Sequence, residues 1–562
     1  MGRAKIKATV AVSSSVTTVV AGLYLSGYLT VMLLKVNAPL AWNTYWLYFK
    51  ALDLPQIAPY AKQIKLGGAI GFGLPLLACV LLLVPLFKPA SKSLHGQARF
   101  AGGSDLARKD MFKPSPTGII VGKFGSQLVR LPGRQFVILA APTRSGKGVG
   151  VVIPNLLDYQ GSVVVLDIKQ ENFDLTSGWR ASQGQAVFLF NPFAEDRRSH
   201  RWNPFSYISN DPAFRVSDLM SIAAMLYPDG SDAQKFWVSQ ARNAFMAFAL
   251  YLFENLDYQR HQQQSREDWI IPTLGELYRL SSGDGSELKP YLTQLSEREF
   301  LSHNAKTAFA NLLSQAEETF ASIMGTLKEP LNPFINPILD AATSGDDFLL
   351  TDVRKKKMTI YIGIQPNKLA ESRLIINLFF SQLINLNTKE LPQNNPELKQ
   401  QCLLLMDEFT AIGKVDIIAS AVSYMAGYNI RLLPIIQSMA QLDAVYGKDV
   451  SRTIITNHVL QIVYAPREQH DANDYSEMLG YTTVRRQSTN RGREVSRSES
   501  EERRALMLPQ ELKAMGFDNE VFLYEGIPHP VMCEKIKYFK ERYFTERLLP
   551  KSEVPTLEIS KQ

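Results

Sequence analysis

The sequence predicts an α/β fold: a mostly parallel sheet with an all-helical insertion, placed behind a hairpin of two membrane-crossing helices. Three observations lead there. Two long uncharged runs open the chain, short apolar runs then alternate with helical stretches, and one internal region carries helical periodicity alone. The composition agrees. A chain of 562 residues, 46% hydrophobic and 20% charged, has room for several globular domains and is not a disordered polymer. Its net charge of +7 suits contact with nucleic acid or anionic lipid, although juxtamembrane lysines supply part of it.

Residues 8–34 contain no charged side chain, and neither do residues 66–87. Each run is long enough to cross roughly 30 Å of hydrocarbon. The first is too long for the apolar part of a signal peptide and lacks a clear cleavage site, so it reads as a retained helix. Arg3, Lys5 and Lys7 precede the first span, and Lys88, Lys92 and Arg99 follow the second. The intervening loop holds Lys35, Lys50, Lys62 and Lys65, with Trp42, Tyr45, Trp46 and Tyr48 suited to an interfacial belt. Cys79, Cys402 and Cys533 sit in apolar runs without a CxxC pair and read as buried thiols in a reducing compartment. The seven histidines show no metal-ligand spacing.

Past the membrane, residues 135–140 read as a short buried strand. It is followed by Ala141, Pro142, Thr143, Arg144, Ser145, Gly146, Lys147 and Gly148, and then by a helical run through Leu157. Strand, glycine-bearing loop and helix are the context of a phosphate-binding P-loop, with Lys147 reaching the β- and γ-phosphates of ATP. Ala141 stands where the first glycine of the usual pattern would be, and Gly148 where a Ser or Thr would help hold Mg2+. The alternative is a glycine-rich turn with a surface lysine. Residues 402–406 are apolar and end in Asp407 and Glu408. A buried strand ending in two carboxylates suits a magnesium-binding Asp407 and a Glu408 that polarises the attacking water. The strand over 432–436 ends at Gln437, which either senses the γ-phosphate or is simply a polar helix start. Further strand candidates are 162–166 (ending at Asp167-Ile168-Lys169), 186–190, 358–364 and 458–464. Together they make a sheet of the RecA-like type. Because the nucleotide-using part needs cytosolic ATP and a hairpin puts both its ends on one side, that side is the cytoplasm.

Residues 204–328 lack strand-like alternation and show helices over 216–226, 233–255 and 304–324; the aromatic stretch from Phe236 to Phe253 reads chiefly as a packed helix core. The expected organisation is a membrane region over 1–92 with a periplasmic loop, a nucleotide-binding domain split between 93–203 and 329–550, the inserted all-α domain over 204–328, and a loose tail over 551–562. Arg354-Lys355-Lys356-Lys357 reads as a solvated turn, with DNA phosphate contact as the alternative. Residues 485–504, rich in Arg, Ser and Glu, read as an exposed loop.

These residues resemble the TraG-type coupling proteins of type IV secretion systems. The resemblance rests on His95-Gly96-Gln97-Ala98-Arg99, the run from Ala141 to Leu157, Val164 to Lys169, Arg201-Trp202-Asn203-Pro204, Asp407-Glu408-Phe409, and Ile436-Gln437-Ser438 with Gln441-Leu442. It covers nearly the whole chain, in family order, and the Gly-Lys-Gly ending looks like a variant of this family. It implies a homo-hexameric ATPase of the bacterial inner membrane, multi-pass, that recognises a relaxase–DNA complex or secreted effector proteins and hands them to the secretion channel. It also implies ATP and Mg2+ as cofactors, phosphate binding at Lys147, magnesium at Asp407, water activation at Glu408, nucleotide sensing at Gln437, and substrate recognition by the insertion. An arginine completing a neighbouring subunit's site is not evident; Arg431 and Arg452 are candidates. Two other readings stay open: a DNA translocase of the chromosome-segregation type, and a nucleotide-dependent receptor that does not hydrolyse.

Overall fold

The computed structural model describes residues 2–87, 94–230, 233–491 and 495–559. It forms two compact units, Met1–Leu94 and His95–Gln562.

The first unit contains helices α1 (Gly2–Leu34), α2 (Thr44–Lys50) and α3 (Ala61–Phe87). The segments Val10–Leu34 and Ala58–Val84 are long and apolar enough to cross a membrane. The second starts earlier than the uncharged run, because Lys62 and Lys65 lie within α3. Small residues let the helices touch. A Cβ on Gly71 would come within 2.3 Å of the Ser26 backbone, and one on Gly67 within 3.1 Å of the Thr30 backbone nitrogen. The Thr30 hydroxyl donates to the Ser26 carbonyl one turn back, which satisfies that hydroxyl within its own helix. Leu76, Leu77, Leu81 and Leu82 are exposed, as an apolar lipid environment requires. Lys88 and Lys92, expected to flank the second span, lie outside the described residues.

The second unit is built on an eleven-stranded sheet. Its strands in chain order are β1 (Ile119–Phe124), β2 (Gln127–Leu131), β3 (Val137–Ala140), β4 (Ser162–Asp167), β5 (Ala186–Phe190), β6 (Met358–Gly363), β7 (Cys402–Met406), β8 (Ile430–Ile436) and β9 (Leu460–Val463). A separate ribbon, β10 (Tyr481–Arg491) with β11 (Val495–Ala505), precedes the last sheet strands, β12 (Asn519–Tyr524) and β13 (Val531–Glu534). The spatial order is β2-β1-β13-β12-β9-β3-β8-β7-β4-β6-β5. From β9 to β5 every pairing is parallel, and from β2 to β9 every pairing is antiparallel. The parallel strands are buried on both faces, and alternate residues feed two cores. Val164, Leu166, Leu404 and Met406 point to one side; Val163, Val165, Leu403 and Leu405 point to the other.

Between β5 and β6 the described chain is helical, including Pro212–Leu226, Lys235–His261, His303–Leu313 and Glu317–Lys328. The long helix Lys235–His261 buries Ala241, Ala244, Phe245, Phe248 and Leu252 at three- and four-residue spacing. The single helix expected over 304–324 is two, because Ala316 takes an extended backbone with ψ 153°. The helical core is continuous with one face of the sheet: Phe205 packs on Phe245 and Phe253, and Trp202 on Phe190 and Phe379.

Four other expectations change. Residues 485–491 and 495–504 are not a loop; they form most of the β10–β11 ribbon, in which Arg485 faces Glu501 at 3.2 Å and Arg486 reaches Glu502 at 3.6 Å. Residues 551–559 are not loose. Leu557 is buried, its N–H donates to the Arg197 carbonyl at 2.8 Å, and Thr556 pairs with Arg198. Arg354 is no solvated turn residue: it is buried, and its guanidinium donates to Asn387 and to the carbonyls of Glu390 and Tyr428. Arg431 cannot reach a neighbouring subunit, since it is fully buried and donates to the carbonyls of Thr117, Leu131 and Gln135. Arg452 is exposed.

Candidate functional site

At the carboxyl edge of the parallel strands, β3, β7 and β8 end side by side and bring four of the expected residues together. β3 delivers the loop from Ala141 to Lys147, and the Ala141 N–H donates to the Ile436 carbonyl at the end of β8. After Lys147 the chain enters one wide turn, Gly148–Val152, and then the α-helix Ile153–Asp158. Gly146 has φ +88°, a backbone that a side chain would strain, and nothing lies within 4 Å of where a Cβ on Gly146 or Gly148 would stand. Thr143, Arg144 and Gly146 are exposed, Pro142 and Gly148 half-buried, and Ala141 and Ser145 buried. The result is an open backbone cradle at the start of a helix, which suits phosphate oxygens.

Lys147 lies between the carboxylates that end β7. Its Nζ forms an ion pair with Glu408 and sits 2.9 Å from Asp407 Oδ1. That second approach is off axis, so the buried Asp407 Oδ1 receives no directed hydrogen bond. Burial pushes the Asp407 carboxyl above its usual range, against the pull of Lys147. An oxygen so placed fits a bound cation. Burial also presses on Glu408, but hydrogen bonds from Lys147 and Gln437 outweigh it and hold this carboxyl below its usual range. Gln437 Nε2 donates to Glu408 Oε2 at 2.8 Å, and its Oε1 accepts from Thr143 Oγ1 at 3.0 Å. Gln437 therefore joins Glu408 at the end of β7 to the loop that follows β3.

Three more neighbours join this group; Gln441 lies in the stretch after Gln437 already noted in the sequence, and Arg467 and Lys535 were not singled out there. Gln441 Nε2 donates to Gln437 Oε1 at 3.2 Å, and Arg467 Nη2 donates to the Thr143 carbonyl at 2.8 Å. Lys535 donates to the Ser145 carbonyl at 3.3 Å. Arg467 and Lys535 come from segments without a motif, and only the fold brings them to the loop. Asp167, at the end of β4, is buried, accepts from the Phe173 N–H at 2.8 Å, and is pushed up to about 7, chiefly by burial. Among the described residues no His, Cys, Asp and Glu cluster forms a metal site by side chains alone.

With this geometry in place, the likeness to known proteins is specific. Residues 91–560 match the family described as Type IV secretory system Conjugative DNA transfer. Protein VirD4 of Rhizobium radiobacter is 31% identical over 466 residues, a stretch covering 80% of this chain and 64% of that protein. The chain thus spans just under two thirds of that relative's length. Conjugal transfer protein TraG of Escherichia coli is 27% identical over 500 residues, covering 81% of this chain and 77% of that one. Among solved structures, the bacterial conjugative coupling protein TrwBdeltaN70 in its unbound form superposes with a TM-score of 0.56 at 17% identity, over 82% of this chain and 98% of its own. TrwB in complex with ADP and Mg2+ superposes with a TM-score of 0.53 at 17% identity, over 84% and 98%. The shared architecture is the RecA-like P-loop fold with inserted helices that the sequence predicts. The chain belongs to the type IV secretory system conjugative DNA transfer family.

Proposed function

We propose that this chain is a membrane-anchored ATPase that couples ATP hydrolysis to the delivery of cargo into a type IV secretion channel. The observation that carries the reading is the convergence of Lys147, Asp407, Glu408 and Gln437 on one open loop. The Lys147 ammonium is held by two carboxylates. Phosphate oxygens compete for the same ammonium, so nucleotide entry releases Glu408. Glu408 is held ionised, which lets it take the proton of an attacking water. Gln437, tied to both Glu408 and Thr143, reports loop occupancy to β8 and the helix beyond. Asp407 is the residue placed to hold magnesium, which when bound shields phosphate charge. Gly148 offers no hydroxyl for that ion, so water and phosphate oxygens would have to complete its shell.

The cargo is a relaxase–DNA complex, secreted effector proteins, or both, recognised by the helices between β5 and β6. Two apolar helices support an inner-membrane hairpin; we further propose that the main domain is cytoplasmic and the working form a homo-hexamer. Lys147→Ala and Glu408→Gln are each expected to lower ATP turnover by about 100-fold or more and to abolish cargo transfer in cells. ATPase assays on purified full-length protein and transfer counts in the matching strains test this. Normal transfer by Glu408→Gln would remove hydrolysis from the reading.

A further inference from the structure

A lysine outside every motif holds the phosphate loop from behind. Lys535 follows β13, is 8% exposed, and donates from Nζ to the Ser145 carbonyl at 3.3 Å. The same ammonium lies 3.8 Å from the centre of the Tyr464 ring. Tyr464 is bonded through its backbone N–H to the carbonyl of Ala140, the last residue of the strand that feeds the loop. Glu520 on β12 is 1% exposed, and neither of its carboxyl oxygens meets a directed hydrogen bond. Two glycines make room for this cluster. A Cβ on Gly122 would fall 2.0 Å from Glu520 Oε1, and one on Gly150 would fall 2.5 Å from the Tyr464 hydroxyl. A lysine, a glutamate and a tyrosine are thus sealed between the antiparallel strands and the loop. Buried ionisable groups of this kind, with no direct bond between the lysine and the glutamate, seldom stabilise a fold better than apolar packing would, so their placement calls for another reason.

We propose that Lys535 is a positioning residue of the phosphate loop, with Glu520 as its counter-group. Drawing the Ser145 carbonyl inward keeps that oxygen away from phosphate and leaves the following N–H groups facing the cradle. The buried ammonium adds positive charge behind the loop, where water screens it little. This inference rests on the nucleotide reading above and gives the antiparallel strands a part in it.

The groups around Lys535 set its response to pH. Glu520 and Asp518 pull its ammonium up, but burial prevails and brings it down to about 8. Burial drives the Glu520 carboxyl well above its usual range. Tyr464 faces Lys535 with its ring, Asp518 is itself paired with Lys537, and Glu534 lies near Cys533 on the same strand. Lys535 is protonated below about pH 8. Its hold on the loop is therefore present there and is lost as pH rises through that value.

The test uses full-length protein in detergent and a fluorescent ATP analogue with Mg2+, titrated from about pH 6.5 to 9.5 across the lysine's titration. Wild-type affinity is expected to weaken above about pH 8. Lys535→Met should raise Kd and KM about tenfold at pH 7, the effect of losing a charged hydrogen bond, with kcat less affected and no inflection near pH 8. Lys535→Arg should restore affinity and keep it at high pH. Glu520→Gln, which preserves volume, should move the wild-type inflection to lower pH. A lowered Tm with unchanged Kd and an unchanged pH curve in Lys535→Met would overturn the inference, as would an inflection that Glu520→Gln leaves in place. Wild-type protein that takes up no nucleotide would remove the ATPase reading and this inference together, whereas binding insensitive to Lys535 would remove the inference alone.

Discussion

Lys147 shows how an enclosed cation is compensated. Its ammonium is paired with Glu408 and lies beside Asp407, so its charge is not left alone. On the function proposed above, Glu408 acts as a base only once the lysine moves. Gly148 is the other informative residue. A Cβ there meets nothing within 4 Å, so sterics do not explain the missing hydroxyl. Gly148→Ser is expected to fold with an unchanged Tm and to lower the Mg2+ concentration for half-maximal ATPase several-fold, because it supplies one more oxygen ligand. A magnesium titration of variant and wild type tests this; an unchanged midpoint would place the ion away from residue 148. The motif residues were legible because backbone and charge constrain them locally: a glycine-bearing turn after a buried strand, and two carboxylates after five apolar residues. Lys535 and Arg467 were not legible, since nothing near them in sequence marks a site and only strand order brings them to the loop.

Elements were legible where burial imposes a pattern. β4, β6, β7 and β8 are apolar runs buried on both faces, and the expected strands fall within a few residues of them. β1 was missed, because Gly122 and Lys123 interrupt its apolar run and its register shifts between Ile120 and Gly122. The β10–β11 ribbon was missed for a different reason. It belongs to no larger sheet, so its strands carry charge pairs in place of an alternating apolar face. The membrane hairpin yields a prediction at this scale. Cys79 Sγ lies 3.8 Å from Ser14 Oγ across α1 and α3, so Ser14→Cys should crosslink to Cys79 on oxidation of the full-length protein. Gly71→Val, added to that variant, should abolish most of the crosslink, because its side chain would enter the Ser26 backbone. Equal crosslinking in both would show that the helices do not meet at Gly71.

At the scale of the whole molecule, the helices between β5 and β6 are less separable than the sequence suggests. Phe205, Phe245 and Phe253 join a core that continues into Trp202, Phe190 and Phe379 beneath the sheet, so removing residues 204–328 would open that core to water. A gentler test of cargo recognition uses the surface. Phe214 and Met220, on the helix Pro212–Leu226, are 64% and 59% exposed. Phe214→Asp with Met220→Asp is expected to leave Tm and ATPase unchanged and to cut cargo crosslinking in cells about tenfold, as loss of an apolar anchor does. Undiminished crosslinking would move the receptor surface elsewhere.

The order of the sheet also governs how the protein is made. β3 carries the phosphate loop, yet its two neighbours, β8 and β9, lie beyond the helical insertion and beyond β7 in the chain. A ribosome finishes α1, α3 and the loop long before either edge of β3 has a partner. Lys147 meets Asp407 and Glu408 only after β7 has emerged, and Gln437 joins them one strand later. On the function proposed above, nucleotide competence therefore arrives late in synthesis and nearly all at once. A nascent chain stalled within the insertion already carries α1 and α3, but it still lacks Asp407, Glu408 and Gln437.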